Sequence, residues 1–126
     1  MSDIIDHVGL TATDYARSMA FYVAALGTLG IKPVVEFGGD GGKYAGFGKE
    51  RPTFWIGDGK QFRGEAHVAF VAASRAEVES FYTAALANGG RDNGKPGLRA
   101  HYHPGYYAAF VLDPDGHNIE AVYHGG

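Results

Sequence analysis

Three side chains of this 126-residue sequence have the types and the placement that a metal site needs. His7 lies in the stretch DHVGL, His67 in AHVAF, and Glu120 in the apolar stretch NIEAV. Because an unpaired buried charge is costly, a carboxylate inside an apolar strand needs a partner. Two imidazoles and one carboxylate suit zinc, iron(II), manganese or nickel and leave coordination positions open. The sequence therefore predicts a divalent metal site. The alternative is two core histidines bonded to backbone and a Glu120–arginine pair.

A second group of polar and aromatic side chains lies in LRAHYHPGYY, residues 98–107. Histidines two residues apart in an extended segment share one face, and arginine and tyrosine add hydrogen-bond donors. A histidine there could act as an acid or a base near neutral pH. We expect a pocket wall for an oxygen-rich or anionic substrate, formed by Arg99, His101, His103 and Tyr107. A dimer contact or a structural loop is the alternative.

Aromatic residues from the first half of the chain could form the opposite wall of this substrate pocket. The candidates are Tyr44, Phe47 and Trp55. Core packing is the usual role of such rings, so the aromatic wall is one of two interpretations.

The remaining polar residues near the C-terminus are expected to be structural. Residues 113–116 read DPDG, the composition of a tight hairpin turn. His117 follows this turn and should be solvated, and His124 should lie in a frayed chain end.

The two candidate histidine ligands match because the chain contains an internal repeat with an offset of 60 residues. The stretch AFYVAALGTLG matches SFYTAALANGG, and DHVGLTATD matches AHVAFVAAS, both without a gap. Each copy starts with an alternating strand and continues into a helix, at 15–27 and 75–87, behind Asp14 or Ser74 as N-cap. If a pseudo-two-fold axis relates the copies, both histidines face one central space.

Three further short strands follow each helix. They are expected at about 31–37, 43–48 and 53–57, and again at about 90–93, 106–112 and 117–123. Each copy is thus a β-α-β-β-β module, about 1–60 and about 61–126 of a single α+β domain. One helix cannot cover both faces of so small a sheet, so we expect the modules to pair into one larger cupped mixed sheet.

Composition excludes several functional classes. The net charge is −3 with scattered basic residues, which argues against nucleic acid as a partner. The absence of cysteine excludes disulfides, thiolate ligands and cysteine nucleophiles. No apolar run reaches the roughly 20 residues of a membrane helix, and the N-terminal stretch lacks signal-peptide features, so we expect no membrane partner and a cytoplasmic location.

The stretches DHVGL, RSMAFYVAAL, AHVAF and FVLDPDGHNIEAV resemble the vicinal oxygen chelate superfamily. That group includes glyoxalase I, fosfomycin-resistance proteins, extradiol dioxygenases and bleomycin-resistance proteins, and the resemblance spans nearly the whole chain. It implies a cupped site around a divalent metal, with His7, His67 and Glu120 as ligands and Glu120 also as a catalytic group. It further implies a homodimer and a small-molecule substrate with neighbouring oxygens.

One position departs from glyoxalase I, which has a second ligand glutamate on the last strand of its first module. Here that strand is PTFWIGDG, and the matching position falls at Trp55 or Ile56, neither of which binds a metal. The expected function is a glyoxalase-like metal enzyme with lyase, isomerase or dioxygenase-type chemistry. The alternative, favoured by Trp55, is a metal-free protein that sequesters a small molecule, as bleomycin-resistance proteins do.

Overall fold

The computed structural model describes residues 5–38, 42–60 and 66–125, which form eight strands and two helices. In chain order these are β1 Val8–Ala12, α1 Tyr15–Gly27, β2 Lys32–Phe37, β3 Tyr44–Gly48, β4 Phe54–Asp58, β5 His67–Val71, α2 Arg75–Ala87, β6 Arg91–Leu98, β7 Tyr106–Leu112 and β8 Asn118–His124. The order is β-α-β-β-β twice, so the predicted α+β fold of two tandem modules is confirmed. Over the described residues, neither helix has the length and apolar character needed to cross a membrane.

Both helices begin at the predicted N-caps. The Asp14 carboxylate accepts a hydrogen bond from the backbone N–H of Arg17, and the Ser74 hydroxyl accepts one from that of Glu77 at 3.1 Å. The Glu77 carboxylate in turn accepts the N–H of Ala73, the residue before the N-cap, at 2.8 Å, in a variant of the capping box. These bonds satisfy donors at the helix start that have no partner within the helix.

Each module folds into its own four-stranded sheet, with the strand orders β1-β4-β3-β2 and β5-β8-β7-β6. The first and last strands of each module pair in parallel, and the other pairs are antiparallel. The expected single cupped sheet is therefore two separate sheets across the described residues of this chain. The modules meet through their helices instead, which leaves β1 and β5 at sheet edges.

Strand β6 is longer than the predicted 90–93, because it continues to Leu98. The sequence NGKPG predicts a strand end, since glycine and proline interrupt most strands. In the structure β6 is an edge strand, where Pro96 removes no ladder hydrogen bond on its free side. Register shifts on either side of Gly94 absorb the irregularity.

The core lies between the two sheets, where the apolar helix faces meet. Phe21 and Ala25 of α1 and Phe81 and Ala85 of α2 are fully buried, as their four-residue spacing predicts. Gly90, just after α2, allows the close approach of the helices, because a Cβ atom there would lie 2.6 Å from the Phe21 ring.

The DPDG segment forms the predicted turn between β7 and β8 and also joins the modules. The N–H of Gly116 donates to the Asp113 carbonyl at 2.9 Å, and Gly116 has a φ of +90° that favours glycine. From the first module, the Tyr22 hydroxyl donates to the Asp113 carboxylate at 2.5 Å and the Thr13 hydroxyl donates to Asp115 at 2.6 Å. Two turn carboxylates therefore fix the position of the hairpin against α1.

Candidate functional site

Glu120 projects from β8 on the face of the second sheet that is turned away from the helices. Its neighbours Ile119 and Ala121 belong to the core, so strand alternation places Glu120 on the opposite face. The carboxylate is nevertheless only 1% exposed, because it forms the floor of a cleft. The other side chains that line this cleft are His67, Tyr102, Tyr106 and Phe110.

Both oxygens of Glu120 have partners on neighbouring strands. Nε2 of His67 lies 2.8 Å from Oε1, and the hydroxyl of Tyr106 donates to Oε2. Ala69 is the register partner of Glu120 on β5, so His67 occupies a diagonal position on the same face. The buried carboxylate is thus paired with a half-exposed histidine and a tyrosine, and not with an arginine.

The Tyr106 hydroxyl is held in its protonated form. Burial, and then the hydrogen bond to Glu120, raise the pKa of Tyr106 to about 12. The positive charge of Arg99 acts in the opposite direction, and its guanidinium lies over the Phe110 ring at 5.4 Å. At neutral pH Tyr106 is therefore a hydrogen-bond donor to Glu120 and not an acid or a base.

His7 lies in a second cleft, on the corresponding face of the first sheet. Its Nδ1 is 2.7 Å from a carboxylate oxygen of Asp6, whose other oxygen accepts a hydrogen bond from Arg51 at 3.0 Å. The bond to His7 and the charge of Arg51 lower the pKa of Asp6. A proton fixed on Nδ1 leaves Nε2 of His7 with a lone pair, as a metal ligand requires.

Trp55 takes the place in the first module that Glu120 has in the second. Gly9 on β1 pairs with Trp55, just as Ala69 on β5 pairs with Glu120. The indole stacks on Phe37, with ring centres 6.3 Å apart and planes 8° from parallel. The glutamate of the second module is therefore replaced by an aromatic face in the first.

Gly46 makes room for this indole. A Cβ atom at Gly46 would lie 2.9 Å from the Trp55 ring and 2.7 Å from Cβ of Pro52. Tyr44, the other predicted aromatic residue of this wall, is 44% exposed beside Trp55 and His7. Phe47 is fully buried and packs on Tyr22, so it belongs to the core.

The structure brings together two of the three predicted metal ligands. His67 and Glu120 are in contact, whereas His7 lines the other cleft, and the two clefts share no lining residue. Across residues 5–38, 42–60 and 66–125, no group of three or more His, Cys, Asp or Glu side chains is placed to hold one ion. The predicted common space for both histidines is thus not formed within one chain.

The donor set of the Glu120 cleft fits part of a divalent metal site. When the angle at the ion between two donor atoms is about 90° and each atom lies about 2.1 Å from the ion, the two donor atoms are about 3 Å apart. His67 Nε2 and Glu120 Oε1 are 2.8 Å apart, so an ion could replace the proton that they share. A third ligand has to come from elsewhere, and the imidazole of His7 has the required donor atom.

The predicted substrate-binding residues fall into different environments. Tyr44 and Trp55 line the His7 cleft, and Arg99 lies over a ring of the Glu120 cleft. The segment 99–105 is a turn and not an extended strand, so His101 and His103 do not share a face as predicted. The His101 ring contacts Tyr102 at 4.3 Å, whereas His103 contacts the His124 ring.

Tyr107 points to the helix side of its sheet, away from the Glu120 cleft. Its hydroxyl donates to Glu79 of α2 at 2.7 Å, and the Arg75 guanidinium lies 4.7 Å from its ring centre. The tyrosine that contacts Glu120 is its neighbour Tyr106. Only the register of β7 distinguishes these two residues, because both stand in the same run of the sequence.

Two histidines that the sequence did not predict to have a defined structural role make specific contacts. His117 is 4% exposed, so the expectation that it is solvated is wrong. Its Nε2 donates to the Thr11 carbonyl at 3.2 Å, and this hydrogen bond adds to the contacts between the two modules. His124 lies in β8 and contacts His103 and Tyr106, so it is not frayed.

Sequence and structure comparisons agree on the family. The sequence model of the Glyoxalase/Bleomycin resistance protein/Dioxygenase superfamily matches residues 4–121. Among curated proteins, none matches the chain. Among solved structures, a glyoxalase/bleomycin resistance protein from Albidiferax ferrireducens T118 is 29% identical with a TM-score of 0.78, and the match covers 96% of this chain and 98% of that one.

Two further solved structures share the fold. A glyoxalase-related enzyme from Fulvimarina pelagi is 17% identical with a TM-score of 0.73, over 100% of this chain and 96% of that one. Glyoxalase I from Zea mays is 24% identical with a TM-score of 0.70. The match covers 94% of this chain but only 45% of the maize chain, so the maize enzyme is about twice as long.

Proposed function

This chain belongs to the glyoxalase, bleomycin resistance protein and dioxygenase superfamily, and from that premise we propose a metal-dependent enzyme that acts on a small molecule with neighbouring oxygens. The proposed ligands are His67 and Glu120 of one chain and His7 of a second chain in a homodimer. The cytoplasm is the expected compartment.

The observation that carries this proposal is the Glu120 cleft. A carboxylate that is 1% exposed has a half-exposed imidazole on one oxygen and a partly buried tyrosine hydroxyl on the other. Burying a charge in this way costs stability unless it is fully paired, and an apolar residue would pack the same strand at lower cost. Such an arrangement at the floor of a cleft is typical of a functional site.

The internal repeat supports a site that two chains complete. His7 and His67 occupy matching places in clefts on matching sheet faces, and the edge strands β1 and β5 lie beside those clefts. A symmetric dimer that brings β1 of one chain to β5 of the other would place both clefts against each other. By the two-fold symmetry it would form two identical sites.

The chain's own residues would then have distinct roles. A divalent ion held there would polarise two neighbouring oxygens of a substrate and stabilise negative charge that develops on them. Tyr106 holds Oε2 of Glu120, so Oε1 is the atom that would bind the ion or hold a proton as the predicted catalytic group. Arg99 would attract an anionic substrate group, and Trp55 and Tyr44 would cover an apolar face and exclude water.

The second candidate function is a metal-free protein that sequesters a small molecule. The stacked Phe37 and Trp55 rings favour it, since a partly exposed aromatic pair can bind a flat ligand without any metal. The buried Glu120 opposes it, because a sequestering groove needs no buried carboxylate.

Metal analysis of the untagged protein separates the two functions. We expect at least one transition metal per chain in the wild type, one metal per chain fewer in the His7→Ala, His67→Ala double variant, and full retention in a His101→Gln control. No metal in the wild type, even after incubation with zinc, manganese, nickel or anaerobic iron(II), would refute the enzyme proposal and favour the sequestering protein.

A further inference from the structure

Two imidazoles outside the Glu120 cleft face each other at the end of the β7–β8 ladder. Nε2 of His103 lies 2.8 Å from Nδ1 of His124, and the rings are nearly parallel, 15° apart with centres at 5.0 Å. Tyr106 packs against both, with ring centres 5.3 Å and 5.2 Å away. Each imidazole is thus held by a second ring in addition to its partner.

A further hydrogen bond determines where the protons lie. Nδ1 of His103 is 2.7 Å from the Pro104 carbonyl, and because a carbonyl only accepts, this nitrogen carries a proton. In the neutral form Nε2 of His103 then has a lone pair, and it faces Nδ1 of His124. A ring N–H donated to a carbonyl while the other nitrogen is free is the usual arrangement of a metal-binding histidine.

We propose that His103 and His124 form a zinc-binding site of their own, separate from the His67–Glu120 cleft. Zinc binds imidazole nitrogen at about 2.0–2.1 Å, and two such ligands in a tetrahedral site are about 3.4 Å apart. The two nitrogens therefore need to separate by about 0.6 Å, and each ring has to turn so that its lone pair points at the ion. The ion takes the place of the proton that the two nitrogens share, that proton moves through solvent to Nε2 of His124 so that both imidazoles stay neutral, and water or an added ligand fills the other positions.

This site does not depend on the proposed enzyme function, because neither His103 nor His124 is among the side chains that line the Glu120 cleft. Tyr106 contacts both places, through its hydroxyl on Glu120 and its ring on the two imidazoles. The two sites can therefore be tested one at a time.

Calorimetric zinc titration of the untagged full chain tests the proposal, in a His67→Ala background that removes a ligand of the first site. We expect one zinc per chain in that background. His103→Gln and His124→Gln should each weaken binding at least about tenfold. His101→Gln, which removes an exposed histidine of the same turn, should leave the affinity unchanged.

Each of the other outcomes overturns the proposal. Equal zinc affinity in the His103→Gln and His101→Gln variants would mean that scattered surface imidazoles bind the ion. Loss of binding in only one of the two pair variants would mean that the imidazoles do not act together. Far-ultraviolet circular dichroism of every variant checks that its fold is intact, and the second pair variant decides the test if one of them unfolds.

Discussion

Tyr106 donates a hydrogen bond to Oε2 of Glu120 across neighbouring strands, and this bond leaves Oε1 facing His67. A carboxylate that is nearly inaccessible to water thereby has a donor on one oxygen, from a hydroxyl that does not ionise at neutral pH. The strand register sets this relationship, because Tyr106 and Glu120 project from the same face of the second sheet.

Replacing Tyr106 with phenylalanine should destabilise the protein, because it leaves one oxygen of a buried carboxylate without a donor. Loss of a hydrogen bond to a buried charged group costs about 1–3 kcal/mol in the free energy of unfolding. Urea denaturation at pH 7 measures this loss. The control is Tyr102→Phe, since Tyr102 lines the same cleft but is 56% exposed. Equal stability of the two variants would contradict the assigned role of Tyr106.

The Tyr106→Phe variant also tests how the free energy of unfolding changes at alkaline pH. The pKa of Tyr106 is raised from 10.0 to about 12, so the folded state holds this proton more tightly than the unfolded state. Its contribution is fully present below pH 10 and is lost as the pH rises towards 12. The stability difference between wild type and Tyr106→Phe should therefore shrink from pH 9 to pH 11. Burial also raises the pKa of Tyr22, but Tyr22 is present in both proteins and cancels.

That comparison requires urea midpoints for both proteins at pH 9, 10 and 11. A difference that stays constant over this range would show that Tyr106 ionises no later than an ordinary tyrosine.

A two-chain metal site makes a prediction about mixed dimers. In chains that also carry His103→Gln, which removes the proposed second zinc site, His7→Ala chains and His67→Ala chains should each bind no metal alone. In a dimer of one of each, one site has lost both histidines and the other is intact. Random reassociation of equal amounts makes half of the dimers mixed, so metal content should recover to about a quarter of the value for His103→Gln alone.

Elemental analysis after unfolding and refolding the two chains together measures this recovery. A site within one chain would give none, and a chain that remains monomeric by light scattering would contradict the dimer proposal.

Gly46→Ala should destabilise the first module. The added Cβ would lie 2.9 Å from the Trp55 ring and 2.7 Å from Pro52, so the indole has to move from its contact with Phe37. Such overpacking costs about 1–3 kcal/mol. The matched control is Gly27→Ala at the end of α1, where the new methyl group meets nothing within 4 Å and a helix gains stability. Urea denaturation compares the two, and Trp55 fluorescence should change only in the Gly46 variant.

Local sequence patterns predicted most of the fold because they act within a few residues. The N-cap residues Asp14 and Ser74 set the starts of both helices, and strand alternation together with the repeat located the strands. The boundary of β6 was wrong because tolerance for Pro96 depends on β6 being at a sheet edge, which is a property of the whole sheet.

The site was only partly predictable for a similar reason. Alternation along β8 was enough to single out Glu120 and the repeat to single out His67, and the two are in contact. The choice between Tyr106 and Tyr107 needed the register of β7, which the sequence does not specify. The burial of His117 depends on packing against Thr11, more than one hundred residues away in the chain.

Trp55 occupies the position in the first module that Glu120 occupies in the second. This difference between the modules has a stereochemical consequence. In a site assembled from both modules, one face of a flat substrate would lie against an indole and the other against a carboxylate. A reagent or a proton could then approach from the carboxylate side alone. We therefore expect any new chiral centre made in this cleft to have a single handedness.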